Sequence, residues 1–234
     1  MFQNLADNIE LNQKSVKVNN NKIEILKRIF TIQNIIIYIL SFLVSTVSIR
    51  DGITPFAMAF FVAACSSTIP AGAILVTTSI GTIVSFGANS FLMYFLTVLI
   101  FLLTIVFFKP YIQEDRNEIS KLGKNLIISV SVVQAIKILM GPVLIYDIIM
   151  SIASVIFTYV FYKVFVNSIG VLETFGFKTA FTIEEIIGAT VLVSIAAVAV
   201  STYRVFGMSI ANLLAIFLIL VLAWKNGVLV GSTI

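Results

Sequence analysis

Apolar residues run along this chain in long blocks, each close to the length that crosses a bilayer, and short polar stretches separate them. Residues 1–22 are rich in Asn, Gln and Lys with little periodicity, which reads as a disordered tail. Residues 22–30, KIEILKRIF, set Ile23, Leu26 and Phe30 at helical spacing among Lys22, Lys27 and Arg28, the pattern of a short interfacial helix or a partner-binding tail. Span 1 then covers about Thr31–Ile49, followed by a turn at Arg50–Gly52. Span 2 (Ile53–Ile69) and span 3 (Ala73–Ala88) are short, rich in Ala, Ser, Thr and Gly, and separated by Pro70-Ala71-Gly72; a re-entrant hairpin is the alternative to two full spans. Span 4 (Ser90–Phe108) is dominated by Phe, Leu, Ile and Val and is expected to face lipid.

After the polar stretch Lys109–Lys124, span 5 runs over Asn125–Met140, Gly141-Pro142 breaks it, and span 6 covers Val143–Val166. A semi-polar connector over 167–183 leads to span 7, which ends near Ser201 and, being almost all Ala, Val, Ile and Ser, is expected to be a central packing helix. Arg204–Gly207 form a turn, span 8 covers Met208–Trp224, and GVLVGSTI begins a run too short to cross a bilayer. The pattern predicts an all-α, polytopic membrane helix bundle of about eight complete transmembrane helices plus a truncated ninth. It divides into a cytoplasmic tail and interfacial helix (1–30), spans 1–4 (31–108), a cytoplasmic loop (109–124), and spans 5–8 with the start of span 9 (125–234).

Composition agrees. The 234 residues are 59% hydrophobic and 11% charged, against about 25% charged in soluble domains, and no water-soluble fold hides that much apolar surface. The net charge of +4 sits beside the membrane spans, where anionic lipid attracts it; there is no basic patch with interleaved aromatics, so nucleic acid is not an expected partner and the lipid bilayer is. Placing the N-terminus inside puts Lys14, Lys17, Lys22, Lys27, Arg28, Lys109, Arg116, Lys121, Lys124, Lys163, Lys178 and Lys225 on the cytoplasmic side. Of the 15 basic residues, only Arg50, Lys137 and Arg204 are then left outside or near the outer face. The positive-inside rule therefore predicts a multi-pass protein of the cell membrane with a cytoplasmic N-terminus.

Candidate chemistry is sparse. A lone Cys65 and no His exclude an internal disulfide and a Cys/His metal site. A turn at Gly141-Pro142 can bring Lys137, near the end of span 5, and Asp147, near the start of span 6, to similar depth; they suit an ion or proton relay, an intramembrane neutralising pair, or a Lys137 that snorkels to the surface. Thr182 and Glu185 have the spacing of a capping box for span 7. Asn89, Asn125, Gln134 and Asn212 are suited to interhelical hydrogen bonds, and Gly227 with Gly231 match a GxxxG helix-packing pattern. No phosphate loop, HExxH, Gly-x-Ser-x-Gly or acidic metal cluster occurs, so no catalytic residue, cofactor site or metal site is assigned to this chain.

Three stretches together resemble a known family: Asp51–Phe60 (DGITPFAMAF), Phe181–Gly188 (FTIEEIIG) and Trp224–Gly231 (WKNGVLVG). Their order and spacing are similar to the membrane region of stage II sporulation protein E, with its "SPFGxAF"-like, "FTxEE" and "WKNGxxVG" motifs; Thr54 and Ala57 stand where Ser and Gly are expected. The resemblance implies about ten membrane spans with both ends cytoplasmic, then a central self-assembling region that associates with the cell-division machinery. A C-terminal metal-dependent serine phosphatase follows, with manganese the expected ion, which dephosphorylates an anti-anti-sigma factor and acts at the polar septum. No phosphatase residue matches a position here, so the resemblance implies an anchor and not the enzyme. The rival expectation is a small-molecule or ion transporter component, with a site formed by spans 2 and 3 and by Lys137 and Asp147.

Overall fold

The computed structural model describes residues 31–49, 54–108, 118–141, 144–174, 178, 180–201, 203–205, 208–210, 212–213, 215–217 and 219–220. They form α1 (Ile32–Ser45), α2 (Pro55–Cys65), α3 (Ala71–Phe108), α4 (Glu118–Leu139), α5 (Ile145–Thr174) and α6 (Ile183–Ser201). A two-residue antiparallel ladder follows, pairing Arg204 with Ser209 and Val205 with Met208. Among the described residues the protein is otherwise all-helical, and α3, α4, α5 and α6 are long and apolar enough to cross a membrane.

The core is built on the shortest helix. Every residue of α2 from Pro55 to Ala64 is buried, as expected of a helix apolar on all sides. Pro55 starts it, where a missing N–H is harmless, and Ser66 and Ser67 end it by donating their hydroxyls to the carbonyls of Ala63 and Ala64, both at 2.7 Å. Its alanines keep the backbone close to its neighbours while its phenylalanines stack outward. Phe56 meets Phe161 edge-on at 4.6 Å, Phe60 meets Phe165 at 5.3 Å, and Phe61 meets Phe101 at 6.2 Å. The connection after α2 is tied to the far end of α5, where Glu173 accepts hydrogen bonds from the Thr68 amide (2.9 Å) and hydroxyl (2.7 Å).

Helix α3 is a hairpin rather than one rod. Gly87 has φ 76° and ψ −179°, a region open in practice only to glycine. A straight helix would hold Thr78 and Tyr94 about 24 Å apart, yet their hydroxyls are 2.8 Å apart. Residues 71–86 therefore rise to a turn at Gly87 and residues 88–108 return beside them, close to the predicted break between spans 3 and 4. The remaining contacts give the directions. Ser41 bonds Thr77 while Gly81 lies against Phe42 and Ser45, so α1 runs parallel to the first limb. Phe56 and Phe60 pair in step with Phe161 and Phe165, so α2 runs parallel to α5. Tyr162 donates to the Ile119 carbonyl at 2.6 Å and Gln134 bonds Ser154 at 3.1 Å, so α4 and α5 are antiparallel. Successive segments α1, α2, the two limbs of α3, α4 and α5 thus alternate along one bundle axis.

Glycine sets the closest crossings. A Cβ on Gly81 would lie 2.8 Å from the Phe42 carbonyl oxygen and inside contact of the Ser45 hydroxyl. One on Gly188 would lie 3.0 Å from the Val164 carbonyl oxygen and 3.1 Å from the Ser168 backbone nitrogen. Most buried hydroxyls are satisfied within their own helix, as in Ser45 to Phe42 (2.7 Å), Ser129 to Asn125 (2.7 Å) and Ser168 to Val164 (2.8 Å). Polar groups thus sit inside while Ile32, Ile36, Ile149, Ile152 and Ile156 stand exposed, the arrangement suited to a lipid surround.

Several expected boundaries and roles change. Helix α4 begins at Glu118, inside the stretch 109–124 read as a loop, because Gly123 seats on Tyr159 and Tyr162 and Ile119 receives the Tyr162 hydroxyl. Helix α5 continues to Thr174, through part of the expected connector, because Ser168, Ile169 and Val171 are buried. The central position belongs to α2 and not to span 7, whose helix α6 buries only Gly188, Leu192, Ile195, Ala196 and Ala199. Span 4 is not simply lipid-facing: Tyr94, Thr97, Val98, Phe101 and Thr104 form a buried stripe on its inner side. The count of eight spans and a ninth is not reproduced as such; the expected span 8 is described only in patches, and the last run lies outside the described residues.

Candidate functional site

Because α2 is short, it leaves space above it. Phe56 stacks on Phe161, sixteen residues into α5 and so about 24 Å below the start of that helix. The volume over the N-terminus of α2 is an open cleft of about 320 Å³, at the lower end of small-molecule pockets, about 300–1,000 Å³. Each surrounding helix presents one helical stripe to it: Ser90, Met93, Tyr94 and Thr97 from the second limb of α3, Val130, Val133, Gln134 and Lys137 from α4, and Ser154 and Thr158 from α5. Ser48, after α1, Thr54, before α2, Met58 of α2, and Phe86 and Asn89 on either side of the Gly87 turn complete the wall.

The inner lining is internally bonded. Gln134 donates to Ser154 at 3.1 Å and accepts from Ser151 at 3.4 Å. The Thr97 and Thr158 hydroxyls donate to their own helices, at 2.8 Å to Met93 and 2.7 Å to Ser154. The rim differs: among the described residues, Ser48, Thr54, Asn89, Ser90 and Lys137 make no side-chain hydrogen bond or ion pair. Thr54 stands at the N-cap of α2 without capping it, so the positive end of that helix faces the cleft.

Lys137 and Asp147 are not joined by a hydrogen bond or ion pair, whereas Lys178 pairs with Glu185 at 2.7 Å. Asp147 belongs to the first turn of α5, where a carboxylate suits the helix dipole, and it does not line the cleft. Thr182 and Glu185 make the reciprocal contacts of a capping box, the Thr182 amide donating to Glu185 Oε2 at 2.8 Å and the Glu185 amide to Thr182 Oγ1 at 3.3 Å. Gly227 and Gly231 lie outside the described residues. No group of three or more His, Cys, Asp or Glu suited to a metal ion comes together among the described residues. Sequence reasoning isolated Lys137 and Gln134 but missed the cleft; the signal was the repeated helical spacing 90/93/94/97, 130/133/134/137 and 151/154/158.

The family described as SpoIIE, N-terminal domain, matches residues 2–234. The chain belongs to that family. No curated protein matches it, and neither does any solved structure. The SpoIIE N-terminal domain thus accounts for nearly the whole chain, and its apolar helices fit the membrane region of a sporulation phosphatase. The match is to this domain and includes no phosphatase domain.

Proposed function

We propose that the chain is the membrane anchor and the localisation and assembly region of a sporulation-associated serine phosphatase at the division septum, with the metal-dependent catalytic domain carried elsewhere in the full protein. The family match over 2–234 carries this reading. The anchor holds its effector through a bundle of about eight spans and the start of a ninth, with a cytoplasmic N-terminus. Lys121, Lys124 and Lys178 lie toward the end of the bundle away from the cleft and Lys137 lies beside the cleft, which supports that orientation. Self-association uses small-residue helix faces of the kind seen at Gly81 and Gly188, and division proteins are the expected cytoplasmic partners.

A fluorescent fusion of this chain in sporulating cells is the test. The proposal expects a band at the polar septum. Uniform membrane fluorescence would refute the localising role, and soluble fluorescence would refute the anchor. A second reading, a small-molecule or ion transporter component, is favoured by one observation: a short helix beginning deep in the bundle beneath an open polar cleft. Uptake by the reconstituted chain in liposomes would establish it.

A further inference from the structure

We propose that the cleft is an oxyanion site, entered from the extracytoplasmic face, that takes a phosphate-class group: a soluble phosphate compound or the headgroup of an anionic phospholipid. The cavity itself carries the inference. Among the described residues its lining holds one cation, Lys137, and no Asp or Glu. Lys137 shares a helical stripe with Val130, Val133 and Gln134, so it belongs to the face of α4 turned to the cleft.

The free groups around the rim include several hydrogen-bond donors. The Ser48, Thr54 and Ser90 hydroxyls and the Asn89 amide can all donate hydrogen bonds, and among the described residues none is used by the protein. An ammonium with several neutral donors matches a group with several anionic oxygens, for which lysine acts as a point charge. The positive end of α2 adds to the same potential from below. A cation would meet Lys137 and the helix end with no carboxylate among the described lining residues to offset them. The volume of about 320 Å³ leaves room for the group that carries the phosphate. The side of entry rests on the orientation proposed above.

The test uses the full chain with Cys65→Ala and Ser90→Cys, in intact cells, and compares thiol modification by an anionic sulfonatoethyl and a cationic trimethylammonioethyl methanethiosulfonate, each scaled to a free thiol. The anionic reagent should react about tenfold faster, a modest value for a focused field. Adding Lys137→Gln should abolish the preference and Lys137→Arg should keep it. Inorganic phosphate should slow labelling saturably if the ligand is soluble. In reconstituted protein, phosphatidylglycerol vesicles should slow it relative to phosphatidylcholine vesicles if the ligand is a headgroup. Equal or cation-favoured rates, a preference that survives Lys137→Gln, protection from neither source, or labelling only after permeabilisation would each overturn the proposal. Asn89→Cys supplies the same readout should Ser90→Cys lower the thermal transition.

Discussion

The crossing of α1 over the first limb of α3 depends on a missing side chain, and one added methyl group tests it. In Gly81→Ala the new Cβ would overlap Ser45 Oγ and lie 2.8 Å from the Phe42 carbonyl oxygen. The serine hydroxyl can rotate, at the loss of its 2.7 Å bond to Phe42; the carbonyl belongs to the helix backbone and cannot. The helices must part by several tenths of an ångström, and overpacking of this kind costs typically about 1–3 kcal/mol. Separation also strains the Ser41–Thr77 bond one turn away, an interhelical contact worth about 0.6 kcal/mol in membranes. Reversible unfolding of the purified chain in mixed micelles measures the loss. The same substitution made in a Ser45→Ala background should cost less, because the worst contact is gone, but not nothing, because the carbonyl remains. A Gly81→Ala protein within about 0.5 kcal/mol of the parent, the usual range for substitutions that touch nothing, would refute the reasoning. So would a cost unchanged by Ser45→Ala.

Gly87→Ala meets no atom within 4 Å, so its cost is backbone strain alone, about 1–3 kcal/mol; thermal melts of Gly87→Ala beside Gly72→Ala, also in open space but without a positive φ, should show a drop in the first only. Thr182→Ala removes one half of the capping box and should speed amide exchange in the first turn of α6, with a local cost of about 0.5–2 kcal/mol and little change in the global transition. Glu173→Ala leaves the Thr68 amide and hydroxyl without their acceptor; hydrogen exchange should show the Thr68 amide losing protection while Glu173→Gln keeps part of it.

Much of the segmentation was legible because length, Gly and Pro carry it. The pattern ends span 3 at Ala88 and begins span 4 at Ser90, and the structure puts the turn at Gly87. Depth was harder. Helices α2 and α6 are both apolar on every side, and neither has a polar face to say which way it turns, so the central position was given to the wrong one. What separates them is contact made far along the chain, Phe56 with Phe161 and Phe60 with Phe165, which no local pattern encodes. The ends of α4 and α5 were missed for a related reason: Glu118–Lys124 and Asn167–Thr174 are polar enough to read as loop, and tertiary contacts from Tyr162 and Glu173 hold them in helix. The cleft was legible only as three separate polar stripes, since its existence depends on α2 being short.

That shortness bears on how the protein is made. An 11-residue helix spans about 16 Å, too little to enter a bilayer as an independent segment of about 30 Å. Its clamp at Glu173 lies 105 residues downstream of Thr68. At synthesis rates of about 5–20 residues per second, α2 waits about 5–20 s for its partner to leave the ribosome. During that interval Phe61 gains Phe101 from the returning limb of α3, while Phe56 and Phe60 wait for Phe161 and Phe165 of α5. Burial of the stretch from Pro55 to Cys65 is thus completed only when α5 has been made.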